Sequence, residues 1–182
     1  MTPWKKISSE RILEGNKFLS VEKHSVQLPD GKIIPDWQIV ITPDFVNVVA
    51  VTDENKFIII RQYKYAVGGE TLSTVGGYIE KNENPLDAAK RELLEETGYY
   101  SDDWITIGKF FVDSNRGCGN AHLFIAKNVK KISEPNSGDL EEQEILLFSR
   151  NEVEKYLAEG AFKTLPWVTN ILYAFKFLDS NL

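Results

Sequence analysis

The 182-residue sequence predicts an α+β fold built on a mixed sheet. Three observations predict it: Val- and Ile-rich runs separated by turn residues in the first half, one strongly marked helix in the middle, and a return to strands before two terminal helices. Residues 18–28 alternate loosely between apolar and polar, and Pro29-Asp30-Gly31 supplies turn chemistry before a second run, Ile33–Ile41. Pro43-Asp44 breaks that run. A boundary at 42–44 then separates an N-terminal β-region, residues 1–44, from a main domain, residues 45–182. Two further strands, Phe45–Thr52 and residues 56–63, flank a polar turn at Asp53-Glu54-Asn55. Residues 64–84 read as loop. Asn84 is placed as an N-cap with Pro85 at the first helical position, and Gly98 is placed to end the helix. Strands are expected at 104–112, 121–126 and 144–148, with a glycine-containing loop between the first two. Ser149 and Glu152 have capping-box spacing for a helix closed by Gly160, and residues 165–178 form a last helix with Pro166 in its first turn.

Composition narrows the function. Hydrophobic residues at 42% and charged residues at 26% are those of an ordinary globular protein. Twenty-one basic against 27 acidic residues leave a net charge of −6, which argues against a chain that grips nucleic-acid backbone or an anionic membrane. Small anionic substrates stay open, because a divalent cation inverts the local field. The one cysteine, Cys118, forbids an internal disulfide and fits a reducing, cytoplasmic compartment. Apolar runs such as residues 57–60 are far too short to span a bilayer, and the N-terminus has no signal-peptide pattern.

The central helix, PLDAAKRELLEET, carries the chemistry. Leu86, Ala89 and Leu93 share one apolar stripe. Beside it Glu92, Glu95 and Glu96 crowd three carboxylates into about one turn, an arrangement that weakens a helix by mutual repulsion. A divalent ion such as Mg²⁺ would remove the conflict. Taken alone, the cluster is also compatible with a solvated acidic face. Arg91 is spaced to pair with Glu95 at i,i+4.

Residues 77–99, GYIEKNENPLDAAKRELLEETGY, resemble the Nudix signature G-x5-E-x7-R-E-U-x-E-E-x-G-U, where U is a bulky aliphatic residue. Gly77, Glu83, Arg91, Glu92, Leu93, Glu95, Glu96 and Gly98 fall in register; Tyr99 replaces the last aliphatic residue. A chance match is on the order of one in a million for a chain of this length. The resemblance implies the Nudix fold, a mixed sheet sandwiched between helices, here with a small N-terminal antiparallel β-region. It implies metal-dependent hydrolysis of a nucleoside diphosphate linked to another group. Mg²⁺, with Mn²⁺ as a substitute, would be held by Glu92, Glu95, Glu96 and the Gly76 carbonyl, neutralising the diphosphate and acidifying a water. Glu83 is expected to hold the loop.

The flank, residues 48–80, resembles the ADP-ribose and nucleotide-sugar pyrophosphatase branch. That branch implies a homodimer in which the N-terminal region reaches the partner subunit and helps build the nucleotide pocket. Trp37 is then a candidate for stacking on the base, or a core or interface residue. Arg61 and Arg116 are candidates for phosphate or sugar contacts, Arg116 being otherwise a solvated loop arginine. A late-loop glutamate, Glu141 or Glu142, is the candidate catalytic base, or an exposed acid. The branch often has Glu-x-Pro-Ala-Gly where this chain has Ser73-Thr74-Val75-Gly76-Gly77, and a loop proline is absent from residues 113–122. These departures open the range from ADP-ribose to other nucleotide sugars, GDP-mannose among them. The alternatives are a Nudix hydrolase of dinucleoside polyphosphates or a coenzyme, and a non-catalytic module that senses a nucleotide sugar. His24, His122 and Cys118 show no ligand or nucleophile spacing, and Trp167, Ile171 and Phe175 read as core or dimer packing.

Overall fold

The structure is a computed structural model that describes residues 1–136, 138 and 142–180. The chain forms two compact units, one of residues 1–44 and 110–121, the other of residues 45–109 and 122–182.

In the first unit β1 (Lys5–Glu14), β2 (Ser20–Gln27) and β3 (Ile33–Ile41) form an antiparallel meander. The predicted turn joins β2 to β3: Gly31 adopts φ 88° and donates to Leu28 O, while Asp30 Oδ1 accepts the Lys32 N–H. β3 then meets the start of β9 (Gly117–Lys131) in a parallel contact at Val40 and Gly117. Two features differ from expectation. β1 lies upstream of the first expected strand, and all ten of its residues are exposed, so no buried face imprints a period of two on its sequence. The glycine-containing stretch at 117–120 is the opening of β9. Gly117, Cys118 and Gly119 all take positive φ, so the glycines bend a strand instead of opening a loop.

The second unit holds β4 (Phe45–Thr52), β5 (Phe57–Lys64), a short 3₁₀ turn (Tyr65–Val67), β6 (Gly69–Ser73), β7 (Tyr99–Tyr100), β10 (Gln143–Phe148) and most of β8 (Asp103–Asp113) and β9. Among the described residues it has three α-helices: α1 (Pro85–Thr97), α2 (Arg150–Ala158) and α3 (Leu165–Asp179). Strand order is β9-β4-β5-β10, with β6 also paired to β5. Strand alternation makes two cores. Val46, Val48 and Ala50 of β4 pack with Ile58 and Ile60 of β5 against Ala88, Ala89 and Leu93 of α1. Val49, Val51, Phe57 and Ile59 take the other face, with Val153 of α2 and Ile171, Ala174 and Phe175 of α3. The sheet is therefore sandwiched between helices, as expected. β6 falls inside the segment expected to be loop: its sequence, GETLS, is too polar to read as a strand, yet Thr71, Leu72 and Ser73 are buried through pairing with β5.

The helix ends follow the sequence closely. Asn84 Oδ1 accepts the Leu86 N–H at 2.9 Å, and Gly98 at φ 74° donates to Leu94 O at 2.8 Å. A Cβ on Gly98 would also lie 2.0 Å from Ser133 O, so only glycine closes this helix. Ser149 and Glu152 complete a capping box on α2. Among the described residues no helix is long and apolar enough to cross a membrane. Leu93 is fully buried at the centre of the α1 core. Leu93→Ala is expected to lower unfolding stability by about 3 kcal/mol, read as a fall in the urea midpoint at unchanged slope.

Candidate active site

Arg91, in the second turn of α1, is the hub. Its Nε donates to Glu83 Oε1 at 2.8 Å, and its Nη2 donates to Glu83 Oε2 at 3.0 Å and Tyr78 O at 3.1 Å. Nη1 serves the helix itself, donating to Glu92 Oε1 at 2.7 Å and Glu95 Oε2 at 3.0 Å. The expected Arg91–Glu95 pair is present, and Glu83 ties the loop to the helix. The Arg91 guanidinium holds the Glu83 carboxyl below the ordinary glutamate value, outweighing the upward push of partial burial. Arg91 is raised in turn, above all by Glu83.

The carboxylates of Glu92 and Glu96 gather at the turn Gly76-Gly77. Glu96, 7% exposed, accepts the Gly76 N–H on Oε2 at 2.9 Å. The Glu92 carboxylate occupies the space where a Gly77 side chain would stand: a Cβ there would lie 2.3 Å from Glu92 Cδ. On Gly76 a Cβ would lie 2.3 Å from Val46 O and 2.4 Å from Asn47 Nδ2. Gly76 is thus required by its close approach to the backbone of β4, while Gly77 leaves the space that the Glu92 carboxylate fills.

The donor set fits a hard divalent cation in kind: three carboxylates on one turn of helix, two of which already share a single cationic partner in Arg91 Nη1. Among the described residues no three His, Cys, Asp or Glu side chains converge on one point. Glu95, 44% exposed at its side chain, points to Arg91 while Glu96 points to Gly76.

A cavity of about 340 Å³ opens beside this turn. Gly76, Gly77 and Glu96 form one wall, and Phe45, Pro166 and Trp167 supply apolar surface. Asn47, Gln62 and Thr74 also line it. Sequence reasoning missed these last three and read Trp167 as packing alone. The available signal was Asn47, a lone amide in the otherwise apolar run FVNVVAV.

The remaining candidates lie elsewhere. Arg61 Nη1 bonds Glu144 Oε2 at 2.7 Å, and both residues, with the exposed Glu142, line a second hollow that shares Gln62 with the cavity. Glu141 lies outside the described residues. In the first unit Trp37 and Arg116 are brought together: the guanidinium stands 5.6 Å from the indole ring centre. Trp37 Nε1 donates to Asn115 O, and Trp4 meets its ring edge-on at 5.3 Å. His24 pairs with Glu22 at 2.9 Å.

Comparison with known proteins agrees with this geometry. The NUDIX domain profile matches residues 42–168, and that of the nucleoside diphosphate sugar hydrolase N-terminal domain matches residues 4–40. The chain is similar to an ADP-ribose pyrophosphatase of Bacillus subtilis (strain 168), 33% identical over 179 residues that cover 96% of this chain and 92% of that protein. It is also similar to a methanol dehydrogenase activator of Bacillus methanolicus, 30% identical over 85% of this chain and 83% of that one. A crystal structure of an ADP compounds hydrolase superposes with a TM-score of 0.86 at 18% identity, covering 100% of this chain and 97% of that one.

The Glu83–Arg91 pair makes a pH-dependent prediction. Because the native Glu83 carboxyl is lowered, its contribution to stability is fully present above the ordinary glutamate value of about 4.3 and is lost as pH falls through the native value. Glu83→Gln is expected to be less stable than the wild type near pH 7. Urea midpoints measured down to about pH 3 should then converge, as the wild type loses the charge that the variant never had.

Proposed function

The chain belongs to the Nudix family, and from that premise we propose that it hydrolyses the pyrophosphate bond of nucleoside diphosphate sugars, ADP-ribose and related sugars such as GDP-mannose, to a nucleoside monophosphate and a sugar phosphate. The carrying observation is the convergence of Glu92 and Glu96 on Gly76-Gly77 at the edge of a cavity. The N-terminal match to nucleoside diphosphate sugar hydrolases and the likeness to an ADP-ribose pyrophosphatase support the substrate class.

In this reading Glu92, Glu95, Glu96 and the Gly76 carbonyl hold Mg²⁺, or Mn²⁺ in its place, which supplies the positive charge that the diphosphate requires. Arg91 aims the carboxylates by holding Glu92 and Glu95 on one nitrogen. Glu141 or Glu142 takes the proton as a water oxygen bonds to phosphorus and the bridging P–O bond breaks. Arg61 and Arg116 bind phosphate or sugar through their planar forks, and Trp37 stacks on the base. The protein works in the cytoplasm as a homodimer, with residues 1–44 serving the partner's nucleotide pocket. The exposed Ile7, Ile12 and Leu13 of β1 favour burial against a second copy.

Three outcomes are expected. Glu96→Gln keeps an acceptor for the Gly76 N–H but removes the charge, and should cut turnover of ADP-ribose by about a hundred-fold or more with an unchanged circular dichroism spectrum. Chelation should do the same to the wild type, and undiminished turnover in either case overturns the reading. In sedimentation the full chain should run as a dimer, and a chain lacking residues 1–14 should run as a monomer.

A further inference from the structure

β4 is an apolar, buried strand that carries one amide. Asn47 is 3% exposed among Val46, Val48 and Val49, and its Oδ1 makes no hydrogen bond. An aliphatic residue would suit such a strand better, since a buried acceptor left unpaired destabilises the fold. The reason for the amide lies in its neighbour across the strand pair.

Residues 75–78 run antiparallel along β4. Val46 N–H donates to Gly77 O at 2.9 Å and Val48 N–H to Val75 O at 2.8 Å, with bridges at Phe45–Tyr78 and Val48–Val75. That register sets Asn47 directly opposite Gly76. A Cβ on Gly76 would collide with both Val46 O and Asn47 Nδ2. Those two atoms are hydrogen-bonded to each other, Nδ2 donating to the carbonyl at 3.1 Å. The Asn47 side chain is thus folded back on its own strand and stands where a side chain of Gly76 would be.

The other edge of Gly76 faces α1. Its N–H donates to Glu96 Oε2 at 2.9 Å. The carbonyls of Val75 and Gly77 turn to β4, so strand alternation turns the Gly76 carbonyl away from it, to the edge that carries the Glu96 bond. Gly76 therefore has Asn47 behind it and Glu96 in front. A planar amide held by Val46 O is thin enough to lie against a glycine, whereas the branched methyl groups of a valine are not.

We infer that Asn47 is a positioning residue for the divalent cation: it backs Gly76 so that the Gly76 carbonyl and the Glu96 carboxylate are presented together. The inference rests on the reading in which Glu92, Glu95, Glu96 and the Gly76 carbonyl hold Mg²⁺. Asn47 acts through Gly76 and is not itself a ligand. Its unpaired oxygen is the consequence of needing a thin side chain at that place.

The test is Mn²⁺ binding to the full chain without nucleotide, read from the free-ion signal in electron paramagnetic resonance. Asn47→Ala removes the backing, and Asn47→Leu replaces the flat amide by branched methyl groups at similar size. Each should weaken Mn²⁺ about ten-fold with an unchanged circular dichroism spectrum. If Asn47→Leu does not fold, Asn47→Ala, which adds no atoms, decides alone. The control is Asn170→Ala: that amide is also fully buried with an unpaired Oδ1, but it lies on α3 and donates to Phe124 O. Its Mn²⁺ affinity should stay within about two-fold of the wild type. At saturating Mn²⁺ the Asn47 variants should recover kcat on ADP-ribose to within about two-fold, and Glu96→Gln should not. Unchanged Mn²⁺ affinity in the Asn47 variants overturns the inference. So does an equal loss in Asn170→Ala, or a kcat that saturating Mn²⁺ does not restore. If the wild type binds Mn²⁺ while these results fail, only the role of Asn47 falls; if it binds none, the parent reading falls and this one with it.

Discussion

Gathering Glu83, Glu92 and Glu95 within reach of one another costs electrostatic energy that only a cation can offset, and Arg91 is that cation. Its fork reaches both oxygens of Glu83, the Tyr78 carbonyl, Glu92 and Glu95, so one side chain joins the loop of residues 77–84 to α1 and orders two carboxylates. A lysine could neutralise the charge but has no planar fork with which to span these positions. With Arg91 only a quarter exposed, the bonds are partly shielded from solvent, which distinguishes them from surface pairs such as Lys131–Glu134.

That cluster is held at a useful place because β4 carries two cores at once. Val46, Val48 and Ala50 bind α1 to the sheet, while Val49 and Val51 bind α2 and α3 from the other side. Gly76 presses against β4 at Val46 and Asn47, and Val48 bridges to Val75, so the turn that meets Glu92 and Glu96 is docked on the most buried strand. The start of α3, at Pro166 and Trp167, lines the same cavity. Packing far from the carboxylates thereby fixes their distance from the cavity walls.

Local signals were legible where local physics decides. The caps of α1 and α2, the turn at Gly31, and the pairing of Arg91 with Glu95 all follow from neighbouring residues, and each is present as expected. β1 and β6 were not legible, because a strand exposed on every residue and a buried strand written GETLS both lack the pattern that reveals strands. The cavity was hidden for a different reason. Asn47, Gln62, Thr74 and Trp167 come from four separate stretches of chain, and their meeting is a product of tertiary packing. Trp167 in particular has the spacing of a packing residue and does pack on the α3 core, while another part of its surface lines the cavity.

A sequence shaped for stability alone would agree with itself at every level, so the places where it does not agree are informative. In the second unit those places are adjacent. The three carboxylates on one turn of α1 work against the helix that carries them. Gly76 gives up a side chain so that its backbone can meet β4, and Gly77 leaves the space that the Glu92 carboxylate fills. Asn47 and Thr74 put unpaired polar atoms among Val46, Val48 and Val75, three residues with no exposed surface. Each departure alone has a local cost and no local benefit. Together they flank the turn at Gly76-Gly77, between α1 and β4. That these departures meet at one turn, beside one cavity, is the physical reason to treat them as one site.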